Sequence, residues 1–330
     1  MRYREIDLQK GILTVLMILA HCIQYFSLEQ CAAMNIISDY VNLTTFSGFV
    51  FTFGFVSYHA YLKNKTYSSA YRKIIRNVLR LTIAYYISAF ANYVFFYKKS
   101  LDLSSIKNII LLRPMIGYSE FLLSFACMMF LLLVFFRLFQ RADLLLLVGS
   151  VVVSVISCII SPLPVQNSWL SLFIGCNNMS YPVFSYLVYF VLGIYIAKNG
   201  IKKHWIVGGI AASAFVVYFI AALFNEPRRW PPSVIFLLGA ALFIYIYFVV
   251  STKVMTIKWL KIPNYILCSV GGNSLFYLLG SNLCLFTLHA IDVVPSEWYA
   301  ILLVYLAIMG LLWYLSHINR ITNKTELLKK

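Results

Sequence analysis

Lys10 and His21 stand at the two ends of an uncharged run, KGILTVLMILAH, eleven positions apart. On a helix that separation is about 16 Å, so with Lys10 at a membrane surface His21 lies near mid-membrane. A lysine can carry its amine back to the headgroups along its aliphatic stem, whereas a histidine cannot. An ionisable group at that depth faces the bundle interior or a wet cavity and is a site for chemistry by default; the alternative is a neutral imidazole hydrogen-bonded to a neighbouring helix. Glu120, in GYSEFLLSF, poses the same choice. A carboxylate facing lipid costs a few kcal/mol, so Glu120 is expected to point inward, where it would orient a histidine or hold a sugar hydroxyl. Its alternative is a solvated acid favoured by a helix N-terminus. Arg72, Arg76 and Arg80 recur every four residues and form one stripe on a helix. Guanidinium groups so arranged grip phosphate oxygens bidentately and suit a polyanion, although an ordinary cluster of cytoplasmic basic residues reads the same way. In NEPRRWPPS, Arg228, Arg229 and Trp230 offer two cations and a stacking ring that would suit a saccharide. Trp230 also fits an interfacial aromatic belt. Arg113, a further basic residue expected on the same side, joins this group.

The elements that must position these groups follow from composition. The 330 residues are 62% hydrophobic, 17% aromatic and only 12% charged, with a mean hydropathy of +0.82, which excludes a soluble globular domain. Segments of about 20 apolar residues cross a bilayer, and ten are expected, over 11–29, 42–62, 80–97, 118–136, 143–161, 181–198, 205–224, 233–251, 265–287 and 298–316. With the N-terminus inside, every Lys and Arg lies in a cytoplasmic segment except Lys98, Lys99, Lys107, Arg113, Arg228 and Arg229, as the positive-inside rule requires. The expected fold class is therefore all-α, a polytopic membrane protein of about ten transmembrane helices with both termini cytoplasmic. The net charge of +16 is topology signal and attraction to the anionic lipid bilayer. Spread over six short loops, it does not suit nucleic acid. The first segment lacks a small-residue cleavage site after it and reads as a retained helix rather than a signal peptide. Residues 1–330 are expected to form a single integral-membrane domain in the cell membrane, with no appended soluble domain. The seven cysteines have no metal-ligand spacing, so no metal is expected. Cys31 and Cys176 fall in expected outer loops and would be able to pair in an oxidising compartment. His59, His204, His289 and His317 lie near rims, where histidines are unremarkable.

REIDLQKGILTVLMILAH resembles the first helix of acyltransferase family 3, membrane-bound O-acyltransferases whose opening reads I-D-x-x-[RK]-G-I, then an apolar run and His. Ile6, Asp7, Lys10, Gly11, Ile12 and His21 occupy those places, with lysine for the more usual arginine. FVFTFGFVSY is similar to the aromatic segment of the family's second helix, with Gly54 in place and Phe53 where serine is usual. YRKIIRNVLRLTIAYY, YFVLGIYIAK and VGGNSLFYLLG resemble later segments in the same order. The histidine that often ends the last motif is absent, and Gly280 and Ser281 stand there.

The resemblance implies transfer of an acyl group, usually acetyl, from cytoplasmic acyl-CoA to a hydroxyl of a cell-surface polysaccharide or lipid-linked saccharide. Acetyl-CoA would be a donor substrate, with no permanently bound cofactor. Lys10 and the Arg72, Arg76 and Arg80 stripe would meet the CoA phosphates, and the acyl arm would rise toward His21. His21 would act as general base or as covalent nucleophile; the family usually carries an aromatic near Glu120, so a catalytic part for Glu120 rests on its position in an apolar segment alone. A transporter or flippase for a lipid-linked saccharide, or an accessory subunit of a polysaccharide-synthesis complex, is the competing class. Neither an internal repeat nor a midplane helix break of the transporter kind is evident, apart from Gly271 and Gly272.

Overall fold

In lipid each backbone N–H and C=O needs an internal partner, which a helix supplies within its own segment. The computed structural model of the chain describes residues 3–26, 32–113, 117–163, 168–175, 180–293, 295 and 297–328, and every regular element among them is helical. In chain order these are α1 (Arg4–Phe26), α2 (Ala32–Ser57), α3 (Tyr67–Ala91), α4 (Leu103–Ile110), α5 (Glu120–Val134), α6 (Phe136–Arg141), α7 (Leu144–Ile160) and α8 (Ser168–Ile174), then α9 (Leu187–Asn199), α10 (His204–Phe224), α11 (Val234–Val254), α12 (Lys261–Gly272), α13 (Ser274–Ala290) and α14 (Trp298–Leu328). Short π-helical turns, Tyr58–Leu62 and Asn92–Phe96, prolong α2 and α3. Side-chain caps begin several helices: Thr66 accepts from the Ser69 N–H, Asp102 from Ser105, Asp143 from Leu146 and Ser233 from Phe236.

Among the described residues five helical segments, where ten were expected, are long and apolar enough to cross a membrane: α1, α3 with its π turn, α10, α11 and residues 298–318 of α14. α5, α7, α9 and α13 are apolar but shorter. The helices overlap the expected segments, but α2 begins at Ala32 rather than 42 and α3 at Tyr67 rather than 80. The segment 265–287 is not one helix: it breaks at Asn273, whose N–H and side chain bond back to Val270 and Ser269 after two glycines. The loop 98–117 contains a helix of its own, α4. Cys31 and Cys176 lie outside the described residues.

Loops expected on one side are tied to one another. Gln140 donates to the Leu62 and Lys65 carbonyls, Lys198 to Arg141 and Asn199 to Ala142, while the Tyr3 hydroxyl meets His59. At the other end Lys98 pairs with Asp292, Arg229 with Asp39, and Arg228 reaches Ser161.

Two crossings bring backbones into direct contact through reciprocal glycines. A Cβ on Gly11 would overlap the Leu267 carbonyl of α12, and one on Gly271 would overlap the Asp7 carbonyl of α1. Gly54 and Gly193 do the same for α2 and α9, against the carbonyls of Phe190 and Phe51. Small residues are what permit such close approach where lipid removes the hydrophobic drive. α1 is thereby held in the middle of the bundle, with Ile6, Leu13, Ile18 and Ile23 buried. α10, by contrast, buries only Ala211. A cavity of about 720 Å³ lies between α7, α9, α10 and α11, and its only charged lining residues are Lys202 and Lys203.

Candidate active site

The chemistry-bearing residues converge elsewhere, on a cavity of about 180 Å³ lined by Met17, His21 and Gln24 of α1, Asn42 and Thr45 of α2, Tyr118, Glu120, Ser180, Tyr181 and Trp230. His21 and Glu120 are each almost fully buried, at 6% and 7% exposure. The cavity sits five residues from the C-terminal end of α1, beside loop residues Gly117, Ser180 and Trp230. α1 starts at Arg4, six residues before Lys10, so Lys10 does not mark the helix end and His21 lies closer to the C-terminal end of α1 than to its N-terminal end.

Asn282 of α13 holds the imidazole. Its Oδ1 is 3.0 Å from His21 Nδ1, and its Nδ2 donates to the Tyr118 carbonyl at 3.0 Å and the Ser119 hydroxyl at 3.2 Å. The Ser119 hydroxyl in turn bonds Ser88 of α3. The Tyr118 ring packs edge-on to His21, with centroids 5.6 Å apart. Tyr118 adopts φ +65°, a left-handed backbone that costs a bulky residue about 1–3 kcal/mol and persists only where its surroundings enforce it. Sequence reasoning missed Asn282. The signal was available: Asn282 lies in the apolar stretch LLGSNLCLF, and a polar amide there is expensive unless it has a partner.

Glu120 accepts hydrogen bonds from the Ser180 side chain and backbone. It points inward, which decides against a solvated helix-terminal acid. Gln24, Asn42 and Ser38 form a hydrogen-bonded polar wall, with Gln24 Nε2 3.1 Å from Asn42 Oδ1. Trp230 joins the cavity while 47% exposed. The neighbouring arginines are occupied with the protein. Arg229 pairs at 2.6 Å with both Asp39 and Glu226, and Arg228 donates to the Pro231 and Cys158 carbonyls and to Ser161. Both hold the loop that carries Trp230. Arg113 is exposed beside α4, away from the cavity lining.

At the other end, Arg72, Arg76 and Arg80 are exposed along α3. Lys10 is paired with Asp7 at 2.9 Å. α3 links the two regions: Ser88 lies eight residues beyond Arg80, about 12 Å along the axis. Among the described residues no group of three or more His, Cys, Asp or Glu is placed to hold a metal ion.

An all-helical bundle with several membrane-length helices and a polar pocket enclosed near one face defines a multi-pass membrane protein. Residues 2–205 match the family model described as "Heparan-alpha-glucosaminide N-acetyltransferase, catalytic", and the chain belongs to that family of acetyltransferases. The match ends at the start of α10. No curated protein and no solved structure matches the chain. The family is thus not acyltransferase family 3, although the two agree on acetyl transfer by a membrane protein. A physical account of the likeness is at hand: an acid and a base at the helix entry, a glycine at a close crossing and a polar group deep in the helix serve any first helix that packs tightly and faces a wet cavity.

Proposed function

We propose that the chain transfers an acetyl group from acetyl-CoA to a nucleophile on a saccharide. The observation that carries this is the meeting of His21, Glu120 and Trp230 in one small polar cavity, within a chain of an acetyltransferase family. The cavity opens among loops expected outside, so the acceptor is a cell-surface or lipid-linked saccharide that stacks on Trp230 and bonds to Glu120, Gln24 and Asn42. The donor enters from the cytoplasmic end, its phosphates on Arg72, Arg76 and Arg80 with Lys10 nearby, and its acyl arm follows α3 toward Ser88 and His21. His21 takes the acceptor proton as oxygen attacks the thioester carbon; the C–S bond breaks and the proton passes to the CoA thiolate. In the alternative, the imidazole first accepts the acetyl group and then delivers it. Residues 1–330 act here as one membrane domain, with ten crossings and both termini in the cytoplasm of a cell whose outer membrane face or envelope carries the acceptor.

A second acceptor is favoured by one observation: a carboxylate in the same cavity as the base attracts an ammonium group. An amino sugar, as in the glucosaminide of the family's description, would bind as its cation and lose a proton before attack. Purified protein given acetyl-labelled acetyl-CoA with neutral glycans or amino sugars separates these. Alkali-labile label on sugar marks an ester, and stable label marks an amide. Neither transfer nor acetyl-CoA hydrolysis with any sugar would return the chain to the transporter or accessory-subunit class.

A further inference from the structure

The hydrogen bonds around Asn282 determine which nitrogen of His21 carries the proton. The Tyr118 carbonyl can only accept, so the Asn282 side-chain atom 3.0 Å from it must be the NH₂ nitrogen. A flipped amide would set two acceptors against each other there. The atom facing His21 Nδ1 at 3.0 Å is then the Asn282 carbonyl oxygen, which has no proton to give. A neutral His21 must therefore donate from Nδ1, leaving the lone pair on Nε2. Among the described residues Nε2 has no hydrogen-bond partner, and His21 lines the cavity. We propose that Asn282 is a positioning residue that locks His21 in the Nδ1–H tautomer, so that Nε2 is the reactive nitrogen, with Tyr118 and the Ser119–Ser88 pair locking Asn282 in turn.

Three features support a built arrangement. Asn282 is 1% exposed, Ser119 1% and Ser88 0%, so water does not compete for these groups. The contributing residues come from α1, α3, α13 and the turn before α5. Asn282 also lies outside the segment 2–205 that matches the family, so the match says nothing of it. A neutral amide, unlike a carboxylate, orients the ring without adding charge to a buried site.

The tautomer does not depend on the proposed reaction; its catalytic meaning does. Solid-state ¹⁵N NMR of histidine-labelled protein in lipid bilayers, with the His21 signal identified by its loss in His21→Gln, is expected to show Nδ1 protonated and Nε2 bare in the neutral ring. An Nε2–H tautomer in the wild type would overturn the assignment whatever the activity. In kinetics, Asn282→Ala should lower kcat about 10- to 100-fold, by analogy with the loss of a partner that orients a metal-bound histidine, with the KM for acetyl-CoA within about twofold. Asn282→Asp, which keeps the acceptor for Nδ1–H, should recover part of that loss. Folded Asn282→Ala with wild-type kcat would also overturn it. Should the alanine variant fail to fold, the wild-type spectrum decides. Full activity in His21→Gln alongside an Nδ1–H spectrum would instead defeat the catalytic role of His21 and leave the tautomer standing.

Discussion

His21 sits in a cavity whose other polar groups come from α1 itself and four further stretches of chain, and its chemistry is testable by one isosteric change. Glutamine preserves much of its shape and some hydrogen bonding but neither basicity nor nucleophilicity. His21→Gln is expected to lose about 10²- to 10⁴-fold in transfer rate, the range general base catalysis supplies, while acetyl-CoA binding persists. Wild-type transfer by this variant would make the histidine structural. Glu120 reports on the acceptor. If the acceptor is an ammonium sugar, Glu120→Gln removes a charge-assisted hydrogen bond of about 1.5–3 kcal/mol and should raise the acceptor KM about ten- to a hundredfold. An acceptor KM unmoved by that substitution, with turnover intact, would place Glu120 outside sugar recognition. Arg228 and Arg229 sit beside the cavity mouth yet spend their hydrogen bonds on Asp39, Glu226, Ser161 and backbone carbonyls. In the structure these contacts fix the loop that presents Trp230.

Among the elements, α1, α2, α9 and α12 are defined by their glycine contacts. Gly54→Leu would force the α2 and α9 backbones apart, an overpacking change that costs about 1–3 kcal/mol or more. It should lower the melting temperature of the detergent-solubilised protein, with Gly149→Ala as a control, since nothing lies within 4 Å of a Cβ there. Equal melting of both variants would contradict the α2–α9 crossing. α3 carries the other functional expectation. If these arginines hold the donor's phosphates as proposed, Arg76→Ala and Arg80→Ala should each weaken acetyl-CoA binding about tenfold or more, as isothermal calorimetry would show. Unchanged affinity in both would leave the stripe as topology signal alone.

For the whole molecule the open matter is sidedness. The cavity lies at the end where Lys98 meets Asp292 and Arg229 meets Asp39, opposite the end where Gln140, Asn199 and Tyr3 tie inner loops together. In a background without accessible native thiols, single cysteines within 98–113 or 226–232 should react with an impermeant thiol reagent from outside, and ones within 63–66 or 199–203 should not. The reverse labelling would put the acceptor cavity in the cytoplasm and remove the reason for a donor route along α3.

Hydrophobic run length and the placement of basic residues were enough to establish helices through the membrane, because in lipid no other open backbone is satisfied. Depth made His21 a candidate, and the cost of a carboxylate in an apolar segment made Glu120 another. These are local properties, readable from a single stretch of chain. Gly271 and Gly272 marked a weak point in the segment 265–287, but that the helix ends at Asn273 was not legible, since it depends on Gly271 meeting the α1 backbone. Asn282 was legible as a costly amide in an apolar stretch, but its pairing with His21 across α1 and α13 was not, because no local pattern records which helices touch. The loop arginines looked free because Asp39, which pairs with Arg229, and the Cys158 carbonyl and Ser161 hydroxyl, which accept from Arg228, are distant in sequence and become partners only on folding. Local sequence thus determined which groups are costly to bury, while only the tertiary structure decided which partner relieves each cost and hence which nitrogen of His21 is left with its lone pair.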